Sequence, residues 1–355
     1  MDWNAVPPVR GEPDFTNLLA VLRREIPSRP TLFEFFLHHR LYQRLLAAVP
    51  PVEFPTAAAA PSDLDVVRLI RAFCRAGYDY ATLTIPGFSF TAGLVERRHE
   101  RSISLNEGSV IHNRQDLTAF SWPDPGTADY EILRRLAPAV PRGMQLIPFG
   151  PGGVLENVVD LVGYEALCLM IHDDPRLAEE IFGEVGSRLV AYYERVLEYP
   201  VVGACISNDD WGFKTQTMFS PRDMRRYVFP WHKRIVEAIH KAGRPAILHS
   251  CGHFQRIIND VIDEMGYDAR HSYEDNIMPV EAFYERYQSR VAVLGGIDLD
   301  FVCRASPEAI YKRSKAMLER SAGRGGYALG TGNSVPDYVP DQNYFAMIRA
   351  ALDSR

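Results

Sequence analysis

The sequence predicts an α/β fold, a (β/α)8 TIM-type barrel with an N-terminal helical extension. Three observations predict it. From about residue 63 helix-like and strand-like segments alternate to the C-terminus, and strands separated by helices require a parallel sheet with right-handed crossovers. Seven strand candidates suit a closed barrel better than an open doubly wound sheet. Polar residues able to do chemistry stand at the ends of several of these strands, where barrel enzymes place their sites.

The elements follow in order. Asp63 to Ala76 carries apolar residues at Leu64, Val67, Leu69, Ile70 and Phe73, an amphipathic helix capped by Ser62 or Asp63. Tyr78 to Ile85 reads as a strand, and residues 95–112 as an irregular or hairpin excursion, with the eighth strand, short or irregular, expected within 97–112. A helix over Glu131 to Leu136 leads to the strand Gln145 to Phe149, and two helices near 154–170 and 175–197 follow. Val201 to Ser207 is a strand. Ser220-Pro-Arg-Asp opens a helix, because Ser suits the N-cap and Pro the first turn. Strand and helix then repeat as 245–250 and 254–265, 268–272 and 279–288, and 291–296 and 307–322. Gly326 to Gly330 is the last strand, before a helix near 341–353. The expected division is an extension over 1–62, including the Pro/Ala-rich stretch Pro50 to Pro61, and one barrel over 63–355.

Composition narrows the function classes. The chain has 355 residues, 46% apolar and 24% charged, proportions of a globular protein with an ample core. A formal net charge of −6 without a basic stripe argues against nucleic acid or an anionic membrane as partner. The first residues lack a signal-peptide pattern, and no uncharged apolar run approaches the roughly 18 residues of a membrane span. Five scattered cysteines suit reduced thiols in a cytoplasm better than a disulfide framework.

The most informative motif is His249-Ser-Cys251-Gly, at the end of the apolar run Pro245 to Leu248. Side chains at i and i+2 of a strand point the same way, so imidazole and thiolate could converge on zinc. A buried, backbone-bonded histidine beside an inert cysteine would give the same pair. Asp209 and Asp210 are neighbours facing opposite ways; one suits acid, base or electrostatic work and the other a helix cap. Asp298 follows Gly295-Gly-Ile and is open to the same two readings. Trp211, Gly330, Gly332, Asn333 and Ser334 are the expected cofactor-contacting positions, although the glycines of 323–332 serve equally well as turn formers. Arg97, Arg98 and Arg101 suit a carboxylate clamp or simply a solvated face.

In this order, Gly150-Pro-Gly-Gly-Val-Leu-Glu156, Asp173-Asp-Pro175, Asn208-Asp-Asp-Trp-Gly212, Ile239 to Pro245, Leu248-His-Ser-Cys-Gly252, Gly295-Gly-Ile-Asp298, Gly330-Thr-Gly-Asn-Ser334 and Val339 to Asn343 resemble the uroporphyrinogen decarboxylase-like superfamily. The resemblance implies a distorted (β/α)8 barrel and a homodimer, and it has two branches. True uroporphyrinogen decarboxylases work without metal and carry an Arg-Gln-Ala-Gly-Arg segment for substrate carboxylates. Here the early region reads Arg29-Pro-Thr-Leu-Phe-Glu-Phe-Phe-Leu-His-His39 instead. The branch similar to methylcobamide:coenzyme M methyltransferases binds zinc through His-x-Cys and a distant Cys.

His249 and Cys251 match the first two of those ligands, and Asn333 stands about where the third would be. The resemblance therefore implies a methyl group passing between a corrinoid, free or carried on a corrinoid protein, and a small zinc-activated thiol. An oxygen ligand such as Asp210 or Asp298 is the expected substitute at the third position. The alternatives are a cofactor-free carboxy-lyase acting on a tetrapyrrole or other carboxylate through Asp209 or Asp210, and a non-catalytic corrinoid or tetrapyrrole binder.

Overall fold

A computed structural model describes residues 1–47, 63–91, 105–106 and 108–355. Its centre is a seven-stranded, all-parallel sheet in sequential order: β1 Tyr80–Thr84, β2 Gln145–Phe149, β3 Cys205–Asn208, β4 Ala246–His249, β5 Ala269–His271, β6 Ala292–Leu294 and β7 Tyr327–Ala328. Six fall within the segments whose patterning predicts them, and β3 runs one residue past its segment, to Asn208. Their burial is near-continuous rather than alternating, as expected of strands covered on both faces. Helices including Asp63–Ala76, Pro175–Val196, Phe229–Lys241, Pro307–Ser321 and Asp341–Leu352 precede, separate or follow the strands. No helix among the described residues is long and apolar enough to cross a membrane.

Two helix expectations are corrected. The helix predicted near 154–170 is two, Val154–Val162 and Tyr164–Asp173, parted at Gly163. Residues 254–265 form a much shorter element, a wide five-residue turn over Asp260–Glu264.

The eighth strand, expected within 97–112, falls mostly outside the described residues. Residues 108–112 contain no strand, and 97–104 lie outside the described residues, as do Pro50 to Pro61, Ser62, Arg97, Arg98 and Arg101. The open edges of the sheet are bridged instead by residues 31–37, inside the segment expected to be a separate extension. Leu32 bridges Leu329 and Leu37 bridges Val335, both in parallel sense. Phe33 N donates to Leu329 O at 2.8 Å, and Leu329 N to Thr31 O at 2.8 Å.

Against β1 the contact is made by side chains. Tyr80 Oη lies 2.6 Å from Glu34 N and 2.7 Å from Glu34 O, and Thr82 Oγ1 donates to Phe35 O at 2.5 Å. Hydroxyl groups satisfy backbone that a strand ladder would otherwise satisfy. The barrel is distorted at this seam, and residues 31–37 belong to its wall.

Candidate functional site

Parallel register brings the ends of β3, β4 and β5 to one level, pairing Asn208 with His249 and His249 with His271. His249 and His271 are both buried, and their Nδ1 atoms lie 2.7 Å apart. Phe35 packs on the first ring at 4.3 Å and Phe33 on the edge of the second at 5.0 Å. Burial drives the His249 pKa down to about 3 and that of His271 well below its ordinary value. Both rings are therefore neutral. His271 Nε2 is 3.4 Å from Thr331 O, which only accepts. That nitrogen carries the His271 proton, so its Nδ1 accepts from His249 Nδ1. The hydrogen-bond pattern thereby leaves the lone pair of His249 Nε2 unused.

The sulfur of Cys251 is where three other strand ends meet. Ser272 Oγ, after β5, donates to it at 3.3 Å, and Asn333 Nδ2, after β7, at 3.3 Å. Its backbone N donates to Asp210 Oδ1, after β3, at 3.2 Å. Asn333 is held with its nitrogen toward the sulfur because its Oδ1 accepts from Ser334 N at 2.8 Å and Ser334 Oγ at 3.3 Å. Ser272 takes φ of 85°, a left-handed conformation unfavourable for a residue with a Cβ. Burial and then the Asp210 carboxylate push the Cys251 thiol up to about 12.

Other expected site residues are turned to structural work. Asp209 is buried, and its carboxylate accepts from Leu155 N, Glu156 N, Trp211 Nε1 and His232 Nε2, each at 2.9 Å. It caps the helix Val154–Val162, where backbone N–H groups and the helix dipole favour a negative charge. A Cβ on Gly153 would lie 2.1 Å from Asp209 Cγ, so glycine is what lets the carboxylate reach the helix end. Trp211 is fully buried, packed on Phe229, His232 and Phe254, rather than facing a cofactor. Asp298 caps the helix Leu299–Arg304 through Phe301 N at 2.9 Å and also accepts from Asp275 N at 2.8 Å.

The Gly330–Gly332 turn spends its backbone internally. Thr331 N donates to Glu34 Oε1 at 2.7 Å, Gly332 N to Ile297 O at 2.7 Å, and Gly330 O accepts from Ile297 N at 3.0 Å. It serves as a packing turn. Thus Cys251, Asp210 and Asn333 meet, His249 turns to His271 inside the barrel, and Asp209, Trp211 and Asp298 leave the mouth.

Sequence reasoning missed His271, Ser272, Arg270 and Glu34. The signal was present in β5, where Arg270 and His271 interrupt what reads as a buried strand. A second buried chain runs from Ser207 Oγ to His232 Nδ1 at 3.1 Å and from His232 Nε2 to Asp209. It has the connectivity of a hydrolase triad. All three residues are at most 2% exposed, and Asp209 is saturated by four donors, so it is a packed polar network rather than a nucleophile.

A zinc centre fits these residues only in part. His249 Nε2 and Cys251 Sγ are the atoms that would hold the ion. Among the described residues no three His, Cys, Asp or Glu side chains are grouped to hold a metal. Asn333 brings its amide nitrogen, a donor, to the sulfur, and Asp298 points elsewhere.

The fold and the strand-end cluster define a barrel protein with a sulfur-centred mouth. The chain belongs to the uroporphyrinogen decarboxylase (URO-D) family, whose sequence profile matches residues 102–353. A uroporphyrinogen decarboxylase of Anaeromyxobacter dehalogenans is 24% identical over 253 residues, covering 68% of this chain and 69% of that protein. One from Myxococcus xanthus is 26% identical over 249 residues, covering 66% and 67%. Among solved structures, a methyltransferase from Methanosarcina mazei superposes with a TM-score of 0.67 at 16% identity, over 95% of this chain and 97% of that one. At that identity the likeness is one of fold.

Proposed function

We propose that this protein is a methyltransferase of the URO-D family, moving a methyl group between a corrinoid and a small thiol at the mouth around Cys251. The observation that carries the reading is the character of that mouth. Its centre is a sulfur held by two neutral donors, Ser272 and Asn333, while Asp209 and Asp298, two of the three acidic strand-end residues, are consumed as helix caps.

A bound methyl-corrinoid would supply an electrophilic methyl group. The chain's part is to place the acceptor thiol and receive its proton. Asp210, the exposed carboxylate beside Cys251, is the proton acceptor nearest solvent. Ser272 Oγ and Asn333 Nδ2 donate to Cys251 Sγ and would stabilise negative charge on that sulfur. The test is to mix the protein with methylcobalamin and 2-mercaptoethanesulfonate or 2-mercaptoethanol and follow the corrinoid spectrum. Thiol-dependent loss of the methyl-corrinoid band that disappears in Cys251→Ala supports the reading. An unchanged spectrum at high concentrations of both reactants removes it.

The names of the Anaeromyxobacter and Myxococcus relatives favour a second reading, a carboxy-lyase. Asp210 would then be its only free strand-end carboxylate of the three, since Asp209 is capped away. Release of carbon dioxide from uroporphyrinogen, lost in Asp210→Asn, would select this alternative.

A further inference from the structure

Behind Cys251, between β5 and the helix Val280–Tyr287, lies a pocket open to solvent, with about 430 Å³ of free space counting its mouth, that neither reading above uses. Its walls are mainly apolar and aromatic, including Phe254, Ile277, Met278, Phe283 and Tyr287. Set among them is Arg270, only 5% exposed. Its guanidinium sits over the faces of Phe254 at 4.1 Å, Tyr273 at 4.6 Å and Phe283 at 5.2 Å. Among the described residues no carboxylate pairs with it, and its Nε has no hydrogen-bond partner.

A buried, always-charged group is normally paired or hydrogen-bonded. Three ring faces offset only part of its desolvation. Burial accordingly lowers the Arg270 pKa, with Tyr273 and then Cys251 acting the other way. The cage lacks a planar, singly charged acceptor.

We propose that this pocket binds an organic monocarboxylate, its carboxylate on Arg270 and its aromatic or aliphatic body against Phe283, Met278 and Tyr287. A guanidinium–carboxylate pair through the terminal Nη groups would supply the counter-ion that this buried cation lacks. One cation and a wall carboxylate, Glu274, already paired to Lys214 at 3.7 Å, favour a monoanion over a dianion. Ser272 lines the pocket and also donates to Cys251 Sγ, so a ligand seated here lies next to the sulfur. The proposal goes beyond both readings of the mouth, and binding at this pocket rests on neither.

The test is calorimetric titration of the full chain with 4-phenylbutyrate and with its uncharged amide, neither needing corrinoid or thiol. The carboxylate is expected to bind at least tenfold more tightly than the amide. Arg270→Met should erase that preference and leave amide binding. Ile277→Trp, which fills the pocket but keeps the cation, should weaken both ligands at least tenfold. Equal affinities in the unmodified protein, no binding of either, a preference that survives Arg270→Met, or binding untouched by Ile277→Trp would each overturn the proposal. Should Arg270→Met fail to fold, the two ligands and Ile277→Trp decide it. Methyl-transfer activity is read separately, so its failure leaves this result standing.

Discussion

Replacing Glu34 with Gln should make the protein more stable at neutral and alkaline pH. Glu34 is fully buried at the barrel seam, with Oε1 2.7 Å from Thr331 N and Oε2 2.7 Å from Thr331 Oγ1. That hydroxyl is also 2.8 Å from Asn333 O. One hydroxyl hydrogen cannot serve both oxygens. A protonated carboxyl resolves the conflict by donating to Thr331, which then donates to Asn333. Burial raises the Glu34 pKa from 4.5 to about 8 against the opposing Thr331 bonds, in agreement with that count.

The sign follows from linkage. The folded pKa lies above the unfolded value, so the folded state holds a proton that the unfolded state loses. Stability from this group is intact below pH 4.5 and falls between 4.5 and about 8. The limiting slope is about 1.4 kcal/mol per pH unit, and the whole range amounts to at most roughly 4–5 kcal/mol. Gln keeps the acceptor for Thr331 N and a permanent donor for its hydroxyl, without the ionisation. Urea unfolding at half-unit steps from pH 5 to 9 should show the Gln variant gaining on the parent by a few kcal/mol across the window. Parallel curves would refute a neutral Glu34.

Four further outcomes are expected. Ser272→Gly should melt higher than Ser272→Ala by about 1 kcal/mol in stability, reversing the usual preference, because the φ of 85° is costly only to a residue with a Cβ; both should slow methyl transfer through loss of the hydroxyl. Asp209→Asn should lower stability by about 2–4 kcal/mol, since an amide group would face donors now bound to a carboxylate. Circular dichroism melts would then show that any lost activity tracks unfolding; a stable but inactive variant would instead place Asp209 in the chemistry. Gly153→Ala should act in the same direction, its Cβ colliding with Asp209, and a melting point equal to the parent's would contradict that contact. Metal analysis of protein purified without chelators, beside Cys251→Ser, checks zinc directly: metal lost with the thiol would require further donors from bound molecules, and equal, negligible zinc in both would remove it.

The alternation of helices and strands was legible because each element's pattern is local. Strands β1 to β7 were readable from apolar runs bounded by turns, and His249, Cys251 and Asp210 from their places at strand ends. What the pattern could not show is how far partners are from each other in sequence. Thr31 to Leu37 pairs with neighbours near residue 330, and the polar Glu34 in its middle hides a wall segment. Asp209 and Asp210 are alike as letters. Only the helix end at Leu155, more than fifty positions away, separates cap from mouth. Arg270 was hidden for a related reason, since nothing local reports that a charge within a strand has no counter-ion.

The seam sets an order on assembly. Glu34 and Thr331 are 297 positions apart, so their contact carries a large loop-closure cost and belongs to a late event in folding. Until it forms, β1 and the most recently added strand present open edges, which invite pairing with other chains. Asn333, two residues beyond Thr331, brings its contact with Cys251 from the same late stretch of chain. A chain still emerging from the ribosome therefore carries the scaffold without the mouth. Any ligand that needs Asn333 and Cys251 together selects molecules whose folding has finished.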